Sequence, residues 1–267
     1  TPWRDLPHVK AIANMFLAGE GTGQAWAGLL LGDFAPSGKL PVMFPATDLD
    51  VIPPSFDPTV NYTEGLFTSY RNSKMRAAFP FGHGLTFTNF TIGAPKVMMS
   101  GCSGVACVKV NVTNVGRRSG SEVPQAYVEF APELREPKLV LKGFRKIRLK
   151  GGETQEVVFS FSERDLSVYR PDHGWMLQRV VRVHVGSSSA NLVDPVILRI
   201  KREQTSTQAA AAPAAPTTRL RLRTDEKPAA GQQLNAVPAA PAAPATTPAP
   251  AAEQPKAAET SAAAAIV

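Results

Sequence analysis

The chain has 267 residues, 43% of them apolar, a formal net charge of +7 and two cysteines. This length holds one or two domains, and no apolar run reaches the roughly 20 residues of a membrane-spanning helix. The basic excess raises nucleic-acid binding, but residues 203–267 carry five basic and five acidic groups, so all of the +7 lies in residues 1–202. There the cations scatter, as in Arg135, Lys138, Lys142, Arg145, Lys146, Arg148 and Lys150. On alternating strands that is a solvated face, so neither nucleic acid nor a membrane is expected as a partner.

In chain order, Trp3-Arg4-Asp5-Leu6-Pro7 reads as a capped loop. The start at Thr1, without Met and inside an element, is expected of a piece of a longer chain; a processed mature protein is the alternative. Residues 11–17 form an apolar run of strand length. Gly19, Gly21 and Gly23 then permit a sharp turn, and Gln24 to Leu31 supply helix formers. Gly32 ends that helix, and Pro36, Gly38 and Pro41 stop further regular structure. A strand entering a helix through glycines is the doubly wound α/β pattern. Val42-Met43-Phe44-Pro45 is a short strand, residues 48–62 a proline-broken loop, and Phe79-Pro80-Phe81-Gly82-His83-Gly84 a return to the core.

Residues 91–202 change character. Strand candidates fall at residues 94–99, 105–111, 125–130, 139–149, 154–161, 180–185 and 195–200, with turns at Gly116, Gly120, Gly151-Gly152 and Asp172-His173-Gly174. Alternation as in Val108-Lys109-Val110-Asn111-Val112, repeated at this spacing, predicts an all-β sandwich of the immunoglobulin/fibronectin type. Residues 203–267 are Ala/Pro/Thr-rich and lack the branched and aromatic residues that fill a core, so a disordered tail is expected. Its interleaved Thr and Pro also suit an O-glycosylated stalk.

Cys102 and Cys107 flank four residues, a spacing that suits a small disulfide loop and suits isolated zinc binding poorly. Sequons occur at Asn61, Asn89 and Asn111. With the cysteines they favour an extracellular or secretory-pathway protein. His8, His173 and His184 are dispersed without ligand spacing, so no metal is expected, and no cofactor. Gly19-x-Gly21-x-Gly23 lacks the Lys-Ser/Thr ending of a phosphate-binding loop, and Ser37 lacks a nucleophile elbow. Trp3, Trp26 and Trp175 read as packing residues before sugar platforms.

Gly23-Gln24-Ala25, Leu31-Gly32-Asp33 and Pro36-Ser37-Gly38-Lys39-Leu40-Pro41 resemble the second domain of family 3 glycoside hydrolases. Tyr62-Thr63-Glu64-Gly65-Leu66-Phe67, Tyr70-Arg71 and Phe79 to Phe87 resemble that domain's closing segment. Val110 to Gly116, Ser119 to Val128, Leu141-Lys142-Gly143-Phe144 and Leu149 to Thr154 resemble the family's fibronectin-III-like domain. One departure is Gln178-Arg179-Val180-Val181-Arg182, which runs on where the family often has a Gly. The resemblance divides the chain into residues 1–90 (the C-terminal portion of the α/β domain), 91–202 (the sandwich) and 203–267 (the tail). It also implies a preceding TIM-barrel domain as partner.

Retaining glycoside hydrolysis needs a nucleophilic carboxylate and an acid/base carboxyl. In the resembled family the Asp nucleophile sits on the TIM barrel and the acid/base Glu earlier in the α/β domain, so no catalytic residue is expected in residues 1–267. Glu20, in Gly19-Glu20-Gly21, is the one weak candidate. Its neighbours place it at a later turn, where it is expected to cap the helix start. Asp33 is expected to cap or orient the loop that follows. Glu64 is expected to organise its loop through a contact with Arg71, and His83 to be packed or bonded to backbone. The implied function is the C-terminal part of a β-glucosidase acting on β-glucosides or cello-oligosaccharides, inactive by itself. The alternative is a non-catalytic, secreted polysaccharide-binding or adhesion protein using the sandwich, its basic face suited to acidic matrix polymers.

Overall fold

The structure, a computed structural model, describes residues 2–54, 58–200 and 265–266. The first part opens with a 3-10 turn at Pro2–Asp5 and strand β1 (Ala13–Asn14), followed by helix α1 (Thr22–Leu31). Strands β2 (Phe44–Pro45) and β3 (Ala77–Phe79) pair antiparallel. Gly32 closes the helix in the left-handed region at φ 79°, and the N–H of Asp33 reaches back to the carbonyl of Gly28 at 2.9 Å. The loop entry is thus set by the Asp33 backbone. Only Ala25, Gly28 and Leu29 of the helix are buried, while Leu30 and Leu31 are each 78% exposed. Leu40, with Ile12, Phe44 and Phe79 around it, is the small core of this part.

Two expectations are corrected here. The apolar run at residues 11–17 contributes only Ala13–Asn14 as strand, because the Asn14 side-chain oxygen accepts the Phe16 N–H at 2.7 Å and Phe16 takes a left-handed φ of 52°. This Asx turn bends the chain off the strand. Glu20 does not cap the helix. The N-cap is Gly21, no side chain caps it, and Glu20 is exposed one residue outside it. The Thr22 hydroxyl closes the turn instead, donating to the carbonyl of Gly19.

The second part is the expected sandwich. Its strands are β4 (Phe90–Ile92), β5 (Lys96–Val97), β6 (Ala106–Asn114), β7 (Gly120–Glu122), β8 (Gln125–Glu129), β9 (Val140–Phe144), β10 (Ile147–Leu149), β11 (Thr154–Phe161), β12 (Ser167–Arg170), β13 (Gly174–Leu177), β14 (Val180–Gly186) and β15 (Val196–Arg199). One sheet runs β11-β6-β4, with β5 also on β6, and the other β15-β14-β8-β9; β7 pairs with β10 and β12 with β13. Alternation decides the packing. Val108, Val110 and Val112 of β6 and Val157, Phe159 and Phe161 of β11 face inward, against Ala126, Val128, Val181, Val183 and Val185 of the opposite sheet. Outward, Thr113 and Thr154 form a cross-strand hydroxyl pair at 2.8 Å. The stretch at 139–149 divides at Arg145-Lys146 into β9 and β10, so it is two strands rather than one.

Cys102 and Cys107 are joined by a disulfide at the turn into β6. Asn61, Asn89 and Asn111 are all exposed, the last on the outer side of β6. The tail at 203–267 lies outside the described residues, except for strand β16 (Ala265–Ile266), which pairs antiparallel with β1.

Candidate functional site

A buried, closely bonded set of polar groups lies where the closing segment meets the sandwich. Gly82 takes φ 78°, and a Cβ there would overlap the Gln125 amide, so a glycine is required on both counts. Gln125, at the start of β8, donates from Nε2 to the carbonyls of Gly82 at 3.0 Å and Ser187 at 2.9 Å. Its Oε1 accepts the Tyr127 hydroxyl at 2.5 Å. Both amide N–H donors and the phenol O–H are thus used. Burial, reinforced by neighbouring Tyr70, pushes the Tyr127 phenol well above its ordinary pKa, so it remains a donor.

Tyr70 extends the joint. Its ring stacks on Phe81 at 4.4 Å and meets Tyr127 edge-on at 5.9 Å, while its hydroxyl accepts the Leu141 N–H at 3.1 Å. The loop before the closing segment is therefore pinned to β9. The expected Glu64–Arg71 contact is not formed: no ion pair between them occurs among the described residues. Arg71 ends a 3-10 turn and lies over the Tyr70 ring at 5.8 Å. Glu64 serves its own turn through its carbonyl, which accepts the Phe67 N–H.

Beside the joint lies an ion pair that no motif in the sequence announces. Lys39 Nζ stands 2.7 Å from Glu122 Oε1, with side-chain exposures of only 13% and 7%. Lys39 also donates to the Gly84 carbonyl, and Glu122 accepts the Val123 N–H. The residues are far apart in sequence and neither lies in a periodic run, so only a lone acid in the small strand β7 hinted at it. Next to this pair, His83 is half-buried and stacks on Phe79 at 6.0 Å; burial, then the Lys39 charge, lowers its pKa. The ring packs on Phe79, and the residue's backbone N–H and carbonyl bond Pro80 and Leu40.

These groups border a cleft of about 430 Å³ between the closing segment, β4 and the turn after β14. Elsewhere Asp50 is buried in a capping box with Thr47 and accepts the Arg76 N–H at 2.8 Å. That N–H and the Thr47 hydroxyl hold its pKa at about 2. His184 contacts Glu129 at 2.6 Å. Trp26 is half-buried, whereas Trp175 is 47% exposed, beside Tyr169 and under Arg164. Among the described residues no cluster of three or more His, Cys, Asp or Glu could hold a metal. The structure brings Lys39, His83, Glu122 and Gln125 together; Glu20 and Glu64 take no part in the joint.

Residues 1–87 match the glycosyl hydrolase family 3 C-terminal domain and residues 122–189 the fibronectin type III-like domain. The chain is 39% identical to a β-glucosidase of Rhizobium radiobacter over 65% of this chain and 22% of that protein. It is 36% identical to thermostable β-glucosidase B of Acetivibrio thermocellus over 72% of this chain and 27% of that protein. A β-xylosidase of Formosa agariphila is 34% identical over 73% and 27%. Among solved structures, β-glucosidase 3B from Thermotoga neapolitana in complex with glucose superposes with a TM-score of 0.62 at 32% identity, over 69% of this chain and 27% of that one. The chain thus spans about a quarter of the length of these relatives. The two domain matches, in the order in which the fold places them, show that the chain belongs to glycosyl hydrolase family 3.

Proposed function

We propose that this chain is the C-terminal part of a retaining β-glucosidase, releasing terminal β-D-glucosyl units, in which it walls one side of the substrate cleft and braces the domains. The observation that carries this reading is the Gln125 joint, which locks the family's closing segment to the sandwich. The exposed apolar face of α1 supports a further layer over the helix, supplied by preceding α/β and TIM-barrel segments. Neither catalytic carboxylate has a counterpart here, so the chain alone is inactive; lacking one carboxyl already removes a step of the mechanism. The β-xylosidase relative keeps xylosides as the competing substrate class. Export belongs to the same reading, with the disulfide formed and Asn61, Asn89 and Asn111 accessible to glycan transfer.

The test is hydrolysis of nitrophenyl β-D-glucoside by the purified chain and by the native protein. The expected result is no turnover by the chain and turnover with retention by the native protein. Turnover by the chain, abolished in Glu20→Gln, would reinstate Glu20 and overturn the assignment.

A second reading, a non-catalytic polysaccharide-binding protein, draws on the exposed Tyr169–Trp175 pair, whose ring centroids lie 5.3 Å apart. It predicts retention on insoluble polysaccharide that is lost in Trp175→Ala. Arg164, 3.3 Å above the indole ring, already covers one of its faces, which weighs against it.

A further inference from the structure

The cleft beside the joint has a chemistry that bracing does not require. A brace is served by an ion pair closed off from solvent, or by apolar packing in its place. Here Lys39 and Glu122 are nearly buried, yet both line the cleft. An ammonium has three donors and a carboxylate about four acceptor sites. Gly84 and Glu122 take two of the Lys39 donors, and Lys39 and Val123 take two of the Glu122 sites. A donor capacity on Lys39 Nζ and an acceptor capacity on Glu122 Oε2 therefore remain in one ion pair. Neighbouring hydroxyls of a sugar ring, each both donor and acceptor, can engage such an adjacent donor and acceptor together.

The turn after β14 adds a polar lining. Ser188 Oγ accepts the Ala190 and Asn191 N–H groups, and Asn191 Nδ2 donates to Ser187 Oγ at 2.8 Å. This fixes the turn and leaves the Asn191 oxygen and the Ser187 hydroxyl proton for a ligand. The paired charges cancel, and the neighbouring His83 is held toward its neutral form, so the wall favours neither anion nor cation. Volume, neutrality and paired donor and acceptor fit one class of molecule.

We propose that this cleft is a binding site for a neutral pyranose, gripped through a vicinal diol by Lys39 and Glu122 and steadied by Asn191. Only the choice of D-glucose as probe rests on the β-glucosidase reading.

The test is titration of the isotopically labelled 267-residue chain with D-glucose, followed by amide NMR, with cyclohexanol as a ring of similar size without a diol. The expected result is saturable shifts confined to Lys39, Glu122 and residues 83–92 and 186–193 with glucose and none with cyclohexanol. Asn191 is exposed, so Asn191→Ala keeps the fold and should weaken binding about fivefold, the value of one hydrogen bond. Glu122→Gln should weaken it further wherever its β6 and β11 resonances stay unchanged. A cleft holding only water would give no saturable shift. That result, equal response to cyclohexanol, or unaltered binding by Asn191→Ala would overturn the proposal. A negative titration alongside a hydrolytically active native protein removes this site alone. Glucose binding alongside an inactive native protein removes the enzyme reading alone.

Discussion

The two halves of the described chain use similar apolar residues to opposite ends. In the sandwich, Val108, Val110 and Val112 are at most 2% exposed, because every inward side chain of β6 meets one from the facing sheet. In helix α1, Leu30 and Leu31 are 78% exposed, and Leu17, just before it, is fully so. A helix needs a second layer to bury its apolar stripe, and two short strand pairs supply little of one. The difference teaches that the sandwich closes its own core, whereas the α/β part presents half of one.

The sharpest way to break that contrast is to truncate one residue in each part. Phe161→Ala, at 0% exposure, should destabilise the sandwich by about 3–5 kcal/mol in chemical denaturation, whereas Leu30→Ala should stay within about 0.5 kcal/mol. Equal losses would mean that the helix face is covered after all. Next comes the seam between the halves. Gln125→Leu strands the Tyr127 hydroxyl and the carbonyls of Gly82 and Ser187, at about 1–3 kcal/mol for each group left unpaired. Amide exchange should then rise at residues 79–84 before it rises in β6; uniform change would deny that the joint holds the closing segment.

A smaller effect is expected at the edge of the sandwich. The Cys102–Cys107 loop is short, so replacing both cysteines by Ala should cost about 2 kcal/mol, read as a lower midpoint with an unchanged slope. The smallest is confined to the α/β part and to acid. Asp50 has its folded pKa depressed to about 2. Its stabilisation is therefore complete above the unfolded value of about 3.9 and is lost as pH falls from there through about 2. Protection of the Thr47 and Arg76 amides should decline over that window, and Asp50→Asn should flatten the decline. A pH-independent profile in the unsubstituted chain would show that the carboxylate is not engaged.

Legibility in the sequence followed the same divide. Strands β6 and β11 could be read because alternation is enforced by burial on one face, and α1 because Gly21 and Gly32 bracket a run of helix formers. Strands β7 and β12 escaped, since Gly120-Ser121-Glu122 and Ser167-Val168-Tyr169-Arg170 carry too little periodicity to stand out from turns. The segments of the joint stood out in the sequence, but their contacts with one another did not. Gln125, Tyr70 and Gly82 become partners only through contacts between distant segments, and a polar residue opening an apolar strand is a faint signal. Glu64 and Arg71 misled for the opposite reason, since proximity in sequence suggested a contact that the turn at Ser69–Arg71 directs elsewhere.

The central claim, that this chain is one part of a larger glycosidase, is tested most directly by the size of the native protein. An antibody against residues 91–202 should detect a species several times longer than 267 residues, co-purifying with aryl-β-glucosidase activity. A species of this chain's own size, without that activity and retained on polysaccharide, would contradict the claim and leave a binding protein in its place.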